Sequence, residues 1–394
     1  MKSTYRLFVA VATTLLIFCQ SFATGVIVRI KDASQIVSLT KDYPFILDFE
    51  QAGHSPFVRF EIASNVRDGY AALLESDDRV VWAEDEDLFT IRKNYSSHGS
   101  SVAAIFDHQA VSSFNSDILK QINFVPRARE LSKLKVGIVD TGISNNQRSI
   151  LINVVAGSSF VSSSQTIDDS PNNLDSNFNG VLDEGAGHGT MVAGIILQLA
   201  PNTPLVIAKS ADSDGNGDSW SVLQGIVFCV ESETKVINVS LGSRQQLAGF
   251  AGFLDWVEQA GAVIVSPIGN NAENKSLYPA GYSNVICVVG LMPDNTKATF
   301  SNWNFVAMVA APASGVLSAW YDGGSAVWSG TSMAAPVVSG CLAAALAENP
   351  DRSPEEIRNA IRISGRDIDP INPSYTGQIG KLLDFVSLVK ALIK

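Results

Sequence analysis

The sequence predicts an α/β fold, with a mostly parallel sheet covered by helices on both faces, preceded by a small α+β unit. Two textures and the size of the chain carry this expectation. Beyond about Leu119 come the apolar runs KVGIVD, LVIAKS, KVINVS, AVIVSP and NVICVVG, separated by helical stretches such as MVAGIILQLA and WSVLQGIVFCVES. Strands that are apolar throughout are buried on both faces, which is the signature of a parallel sheet between helical layers. From Thr24 to about Asn94 the pattern is different: short alternating segments (VIVRI, FVRFEI, RVVWAE) surround two helix-like pieces, one of them Val66 to Leu74. That order suggests a small unit of the split βαβ kind. With 394 residues, 46% hydrophobic and 17% charged, the chain has enough apolar surface for one large core and a smaller one.

The formal charge of -11, with no Lys/Arg run to offset it, disfavours nucleic acid and anionic membrane surfaces as partners. Residues 1–23 read as a signal peptide: Lys2 and Arg6, an apolar run from Leu7 to Phe18, then Ser21-Phe22-Ala23 with small residues at the cleavage spacing. The run is short for a bilayer span, so the expectation is a secreted or periplasmic protein with no stable membrane anchor. Residues 24–94 form the small unit, the Ser-rich stretch 95–118 reads as a linker, and 119–394 form the large domain. Ser353-Pro-Glu-Glu marks a helix start near the C-terminus, and a last apolar helix runs from Asp384 to Ile393. Cys19 leaves with the signal, and Cys229, Cys287 and Cys341 sit in apolar stretches. Buried thiols with at most one disulfide are expected, and no zinc site.

Only four histidines occur, His54, His98, His108 and His188, and only His188 lies in the large domain. It stands in Gly187-His188-Gly189-Thr190 at the start of a helix, where the glycines let another chain approach the ring. Ser332 occurs in Gly330-Thr331-Ser332-Met333-Ala334-Ala335-Pro336, just before a small-residue helix whose N–H groups can stabilise negative charge near the serine oxygen. Asp140 ends the strand KVGIV and is followed by Thr141-Gly142-Ile143, at the carboxyl end of a buried strand where sites of open parallel sheets form. Taken singly, a structural histidine, a serine helix cap and a turn aspartate would each be reasonable. Together they are the elements of a nucleophile, base and orienting acid.

VGIVDTGI, GHGTMVAGI and GTSMAAP resemble the Asp, His and Ser blocks of the subtilisin-like serine proteases, and the Asp, His, Ser order agrees. The likeness extends from about Asn115 to Lys394. It implies a subtilisin-like peptidase domain in which Ser332 is the nucleophile, His188 the proton carrier and Asp140 the orienting carboxylate. It further implies that Asn270, in Ser266-Pro267-Ile268-Gly269-Asn270-Asn271, supplies an oxyanion-hole amide; Pro267-Ile268 depart from the small residues usual there. Ser240-Leu241-Gly242, the stretch containing Gly215 and Gly217, and Gly269 resemble the segments that hold an extended peptide substrate by backbone pairing. The first unit looks like the inhibitory propeptide of these proteases, a ferredoxin-like α+β domain that blocks the cleft with its C-terminal tail and is cut off by the enzyme itself, at a junction around 94–118.

Asp175, Asn177, Asn179, Val181 and Asp183 place oxygen ligands at alternate positions, with Gly180 at the sixth, the spacing of a structural calcium loop. The twelfth position is Ala186, so the loop is not a complete EF-hand. Calcium is the only cofactor implied. The expected activity is peptide-bond hydrolysis through an acyl-enzyme; the alternative is a non-catalytic subtilisin-like protein that binds peptides, against which the intact Asp140, His188, Ser332 and Asn270 argue.

Overall fold

Alternation along the first strands builds the smaller unit. In the computed structural model, which describes residues 24–62, 69–86, 88–90, 115–126, 134–162, 164–246 and 248–393, this unit runs β1 (Thr24–Ile30), α1 (Ile36–Asp42), β2 (Ile46–Gln51), β3 (Phe57–Ile62), α2 (Tyr70–Glu75) and β4 (Val80–Asp85). The four strands pair in the order β2-β3-β1-β4, all antiparallel. Val26, Val28 and Ile30 of β1 meet Val58, Phe60 and Ile62 of β3, and Leu39 and Leu74 of the two helices close the core. One helix between β1 and β2 and another between β3 and β4 is the split βαβ arrangement that the alternating segments predict.

The boundaries differ from the sequence reading. α2 runs from Tyr70 behind Gly69; the start of the expected piece at Val66 falls in residues 63–68, which lie outside the described residues. The first compact unit runs to Glu86, the expected boundary at Asn94 lies outside the described residues, and a helix, α3 (Ser116–Gln121), begins inside the stretch read as linker. The signal peptide and most of the linker lie outside the described residues.

The second unit holds an eight-stranded sheet in the order β16-β13-β12-β11-β10-β6-β8-β7. Its strands are β6 (Lys135–Asp140), β7 (Val154–Ser159), β8 (Leu205–Lys209), β10 (Thr234–Val239), β11 (Val263–Pro267), β12 (Val285–Leu291), β13 (Val309–Pro312) and β16 (Lys381–Leu382). Every pairing between them is parallel. The remaining elements are α4 (Arg148–Leu151), α5 (His188–Leu199), α6 (Ser219–Glu231), α7 (Ala248–Gln259), the antiparallel pair β14 (Val316–Ala319) and β15 (Ser325–Trp328), α8 (Thr331–Leu346), α9 (Pro354–Ser364) and α10 (Phe385–Ile393). Strand β6 shows why both faces are covered. Val136 and Ile138 join the cluster formed with Met191 and Ile195 of α5 and Val338 and Leu342 of α8. On the opposite face a Cβ on Gly137 would meet Cys229 of α6 at 2.7 Å, and Val139 approaches Gly225 of the same helix. A period-2 strand with both faces buried has no polar side, hence the continuous apolar runs.

Cys229, Cys287 and Cys341 are free and buried, and burial pushes each thiol well above its ordinary range. No described helix is long and apolar enough to cross a membrane.

Local signals set the last helices. Ser353 caps α9, its Oγ accepting from Glu356 N–H at 3.3 Å while the Glu356 carboxylate accepts from Ser353 N–H at 2.7 Å. That reciprocal pair is a capping box. The Ser353 N–H, then Arg352, holds the Glu356 carboxyl at about 2 against an ordinary 4.5. A carboxyl held low in the folded state contributes stability above its ordinary value and loses that contribution as the pH falls toward about 2. Ser353→Ala, read by urea unfolding in a proteolytically silent Ser332→Ala background, is expected to cost about 1 kcal/mol at pH 7. The difference should shrink as the pH is lowered from 5 toward 2.

Candidate active site

Strand order places the site before any side chain does. From β6 the chain passes to β7 and β8 on one side and then to β10, β11 and β12 on the other. The crevice beyond the carboxyl ends of β6 and β10 is therefore a topological switch point, where open parallel sheets bind ligands. Asp140 is the last residue of β6, Ser240 follows β10, and Gly269 and Asn270 follow β11.

His188 is the first residue of α5 and Asp140 reaches it across the crevice. Their Nδ1···Oδ1 distance is 2.7 Å, with the His188 and Asp140 side chains 2% and 0% exposed. A buried carboxylate against Nδ1 requires a hydrogen there, which leaves Nε2 as the basic nitrogen. The same Asp140 oxygen accepts Thr141 N–H at 2.8 Å, fixing the carboxylate's orientation. Both glycines beside His188 are demanded by space. Gly187 has φ of +82°, and a Cβ there would meet the Trp320 ring at 2.7 Å. A Cβ on Gly189 would drive into the Gly142 carbonyl oxygen and come within 3.2 Å of the Asp140 Cβ. The indole of Trp328 lies tilted against the imidazole, with ring centroids 5.7 Å apart.

Ser332 is the second residue of α8, inside the first turn, and is partly exposed while the residues on either side of it are buried. Pro336 of the same helix has no N–H, so the Ser332 carbonyl loses its ordinary intrahelical donor. Ser240 Oγ donates to that carbonyl instead, at 3.4 Å. Ser240 is in turn held by Asn238 Nδ2 at 2.8 Å, and Asn238 Oδ1 accepts Ser339 Oγ at 2.9 Å, so the end of β10 is stitched to the serine helix. Asn270 is also anchored to that helix. Its Oδ1 accepts both the N–H and the Oγ1–H of Thr331, each at 2.8 Å. With the oxygen accepting both hydrogens of Thr331, Nδ2 is the donor end of the amide.

The loop under Asn270 is held by Asn302, fully buried. Its Oδ1 accepts from Asn271 N–H at 2.8 Å and Glu273 N–H at 3.1 Å, and its own N–H donates to the Gly269 carbonyl at 2.9 Å. Sequence reading passes over Asn302, Thr331 and Asn238, because each acts on a residue far along the chain.

Gly217 lies in β9 (Asn216–Asp218), which pairs antiparallel with β5 (Leu88–Thr90): Leu88 faces Asp218, Phe89 faces Gly217 and Thr90 faces Asn216. Gly215 turns into β9 with φ of +81°. Leu241 is buried, leaving its backbone as the usable part, and Gly242 packs beside Leu277. Asp214 falls in the stretch read as a substrate strand, but it is buried and its carboxylate accepts the N–H groups of Ser176 and Asp183. It ties the preceding acidic loop to the turn before β9.

In that acidic loop Asp175 accepts Asn179 N–H at 3.1 Å and Gly180 N–H at 2.8 Å, Asn177 Oδ1 accepts Asn179 N–H at 3.0 Å, and Asn179 Oδ1 accepts Val181 N–H at 2.7 Å. Asp183 accepts from Asn172 and Asn173 N–H at 2.7 and 2.9 Å. Among the described residues no group of three or more His, Cys, Asp or Glu side chains converges as a metal site.

Behind the Asp140–His188 pair lies a second buried pair of charged groups, Asp169 and Lys209. Burial pushes the Asp169 carboxyl up to about 6, with Lys209 pulling against it. Burial lowers Lys209.

Residues 132–372 match the family model described as the subtilase family. The chain is 34% identical over 242 residues to thermitase of Thermoactinomyces vulgaris, spanning 59% of this chain and 81% of that one. It is 32% identical over 243 residues to subtilisin DY of Bacillus licheniformis, spanning 58% and 82%. The crystal structure of a cold adapted subtilisin-like serine proteinase matches with a TM-score of 0.57 at 27% identity, over 68% of this chain and 97% of that one. Fold, sequence blocks and relatives agree: the chain belongs to the subtilase family and is a serine endopeptidase.

Proposed function

We propose that the chain is made as a secreted or periplasmic precursor whose second unit cleaves peptide bonds through an acyl-enzyme on Ser332. The observation that carries this reading is the buried 2.7 Å contact between His188 Nδ1 and Asp140; it is supported by a serine in the first turn of α8 whose neighbour Thr331 anchors the Asn270 amide. His188 Nε2 takes the proton from Ser332 as the hydroxyl attacks the carbonyl carbon. The carbonyl oxygen becomes an oxyanion, which the Asn270 amide and the Ser332 backbone N–H receive. His188 then passes its proton to the departing amine, and a water activated by the same imidazole releases the acid. As the pH falls and the imidazole becomes protonated, the base is lost and activity falls.

Peptide or protein substrates are read as adding to the β9 edge as an extended strand, with Gly215 and Gly217 leaving room, Ser240-Leu241-Gly242 flanking from the other side and Gly269 opening the pocket beside Asn270. The pairing of β5 with β9 supports a further step, because the chain's own Leu88–Thr90 takes the edge that a substrate would use. The first unit is then a propeptide that inhibits in this way and is removed by self-cleavage in the stretch beyond Thr90.

The test is to express the chain from Thr24 and its Ser332→Ala variant and follow both by intact mass. The first is expected to lose about 8 to 11 kDa, at about 110 Da per residue for a unit of small-domain size, and the second nothing. Equal persistence of both, together with no reaction with a serine-directed probe, would move the reading to a non-catalytic peptide-binding protein.

The acidic loop fits a hard cation in the chemistry of its donors. Asp175, Asn177, Asn179 and Asp183 offer oxygen, Val181 offers a carbonyl, and Gly180 takes φ of +85° at the sixth position. These residues would hold calcium, which there supplies charge neutralisation and stiffening, not a step of catalysis. In the Ser332→Ala background, chelation with EGTA is expected to lower Tm by several degrees, restored by added calcium and absent in Asp175→Ala.

A further inference from the structure

The helix that carries His188 has no cap of its own. Gly187 at its N-cap offers no side chain, and the N–H groups of its first turn are satisfied from elsewhere. His188 N–H donates to the Gly185 carbonyl at 3.0 Å, Gly189 N–H to Thr141 Oγ1 at 2.8 Å, and Thr190 N–H to Asp169 Oδ2 at 3.0 Å. Thr190 Oγ1 donates to that same Asp169 oxygen at 2.9 Å, and Gly187 N–H donates to the Asp169 backbone carbonyl at 3.1 Å. Asp169 thus grips the chain on both sides of His188, and Thr141, which also donates to Asp140, grips it between.

A carboxylate only 1% exposed is a costly choice for a cap that a neutral amide or hydroxyl could provide. Its charge therefore calls for a second explanation. Lys209, at the end of β8 and 4% exposed, is the cation acting on Asp169, and its Nζ donates to the Thr141 carbonyl. Asp140, at the end of β6, is the like charge. Asp168 on the same loop and Asp212 beyond β8 act on Lys209 from further out. Asp140, the like charge acting on Asp169, is the group that holds the His188 ring.

We propose that Asp169 is a positioning residue for proton transfer, its carboxylate clamping the start of α5 while its charge, balanced by Lys209, sets the field in which His188 takes up a proton. This rests on the reading of His188 as the base. Burial pushes the Asp169 carboxyl up to about 6, and Lys209 pulls it back down. The ionised form favours an imidazolium nearby and the neutral form does not.

Three variants in the processed enzyme test this, each normalised by active-site titration with a fluorophosphonate. Asp169→Asn keeps an acceptor for Thr190 but removes the charge, and is expected to move the acid limb of kcat/KM to lower pH by about half a unit. Lys209→Met removes the opposing charge and should move the limb the other way. Asp169→Ala loses the clamp as well, and kcat should fall about tenfold or more with KM changed less than about twofold. Opposite displacements of the limb are the signature, since a merely structural role changes Tm without moving it. If both charge variants keep the wild-type limb, or if both move it in the same direction, the proposal is overturned. Failure of the wild-type enzyme itself to titrate with the probe would instead overturn the assignment of Ser332 and His188.

Discussion

Ser332→Ala is expected to reduce kcat on a chromogenic peptide by about 10⁶-fold, the loss known for removal of the corresponding serine from subtilisin itself. The structure gives the reason for so large an effect. Ser332 is partly exposed in the first turn of α8, where helix N–H groups favour negative charge on an attacked carbonyl. His188→Ala should cost about as much, because attack and proton removal are one event, and the double variant should cost little more than either single one. A double variant that multiplied the two losses would show the residues acting in separate steps. The rate surviving in Ser332→Ala comes from the oxyanion donors and from substrate binding, which the substitution leaves intact.

Asn270→Ala should lower kcat by about 10²- to 10³-fold with KM within about twofold, the range known for removing the equivalent donor from subtilisin. On the proposed reading of Asn270, the donor meets charge that exists only in the transition state, so ground-state binding is spared. What this chain adds is the anchoring. Thr331 spends both its N–H and its hydroxyl on Asn270 Oδ1. Thr331→Val removes one of those two bonds and is expected to produce the same kind of loss, in kcat rather than KM, at a few-fold. Comparable effects on KM in either variant would indicate substrate binding instead.

The parallel sheet could be read from β6, β8, β10, β11 and β12 because strands buried on both faces must be apolar at every position. The residues of the candidate site were legible for a related reason: His188 is flanked by glycines that a close backbone approach demands, and Ser332 stands in the short block Gly330-Thr331-Ser332-Met333-Ala334-Ala335-Pro336. Asp140 was visible only as an acid closing a buried strand. The supports were not legible. Asn302 acts on Asn271 and Glu273, Asn238 acts on Ser339, and Asp169 acts on Thr190; no periodicity links such distant positions. Asp214, beside Gly215, ties down the acidic loop through its carboxylate, a role no local pattern marks. Leu88–Thr90 has the alternation of a strand but pairs with β9 of the second unit, and local pattern does not reveal which sheet a strand joins. The helix at Ser116 was hidden by the serine-rich composition before it.

The most direct test of the central claim is to react the processed enzyme with a fluorophosphonate and map the adduct by peptide mass. The expected result is a single adduct on the peptide containing Ser332, absent from Ser332→Ala and strongly slowed in His188→Ala, with the first unit of both variants removed by added wild-type enzyme that is then separated from them. An adduct on another serine, or labelling of Ser332 that proceeds at full rate without His188, would contradict it.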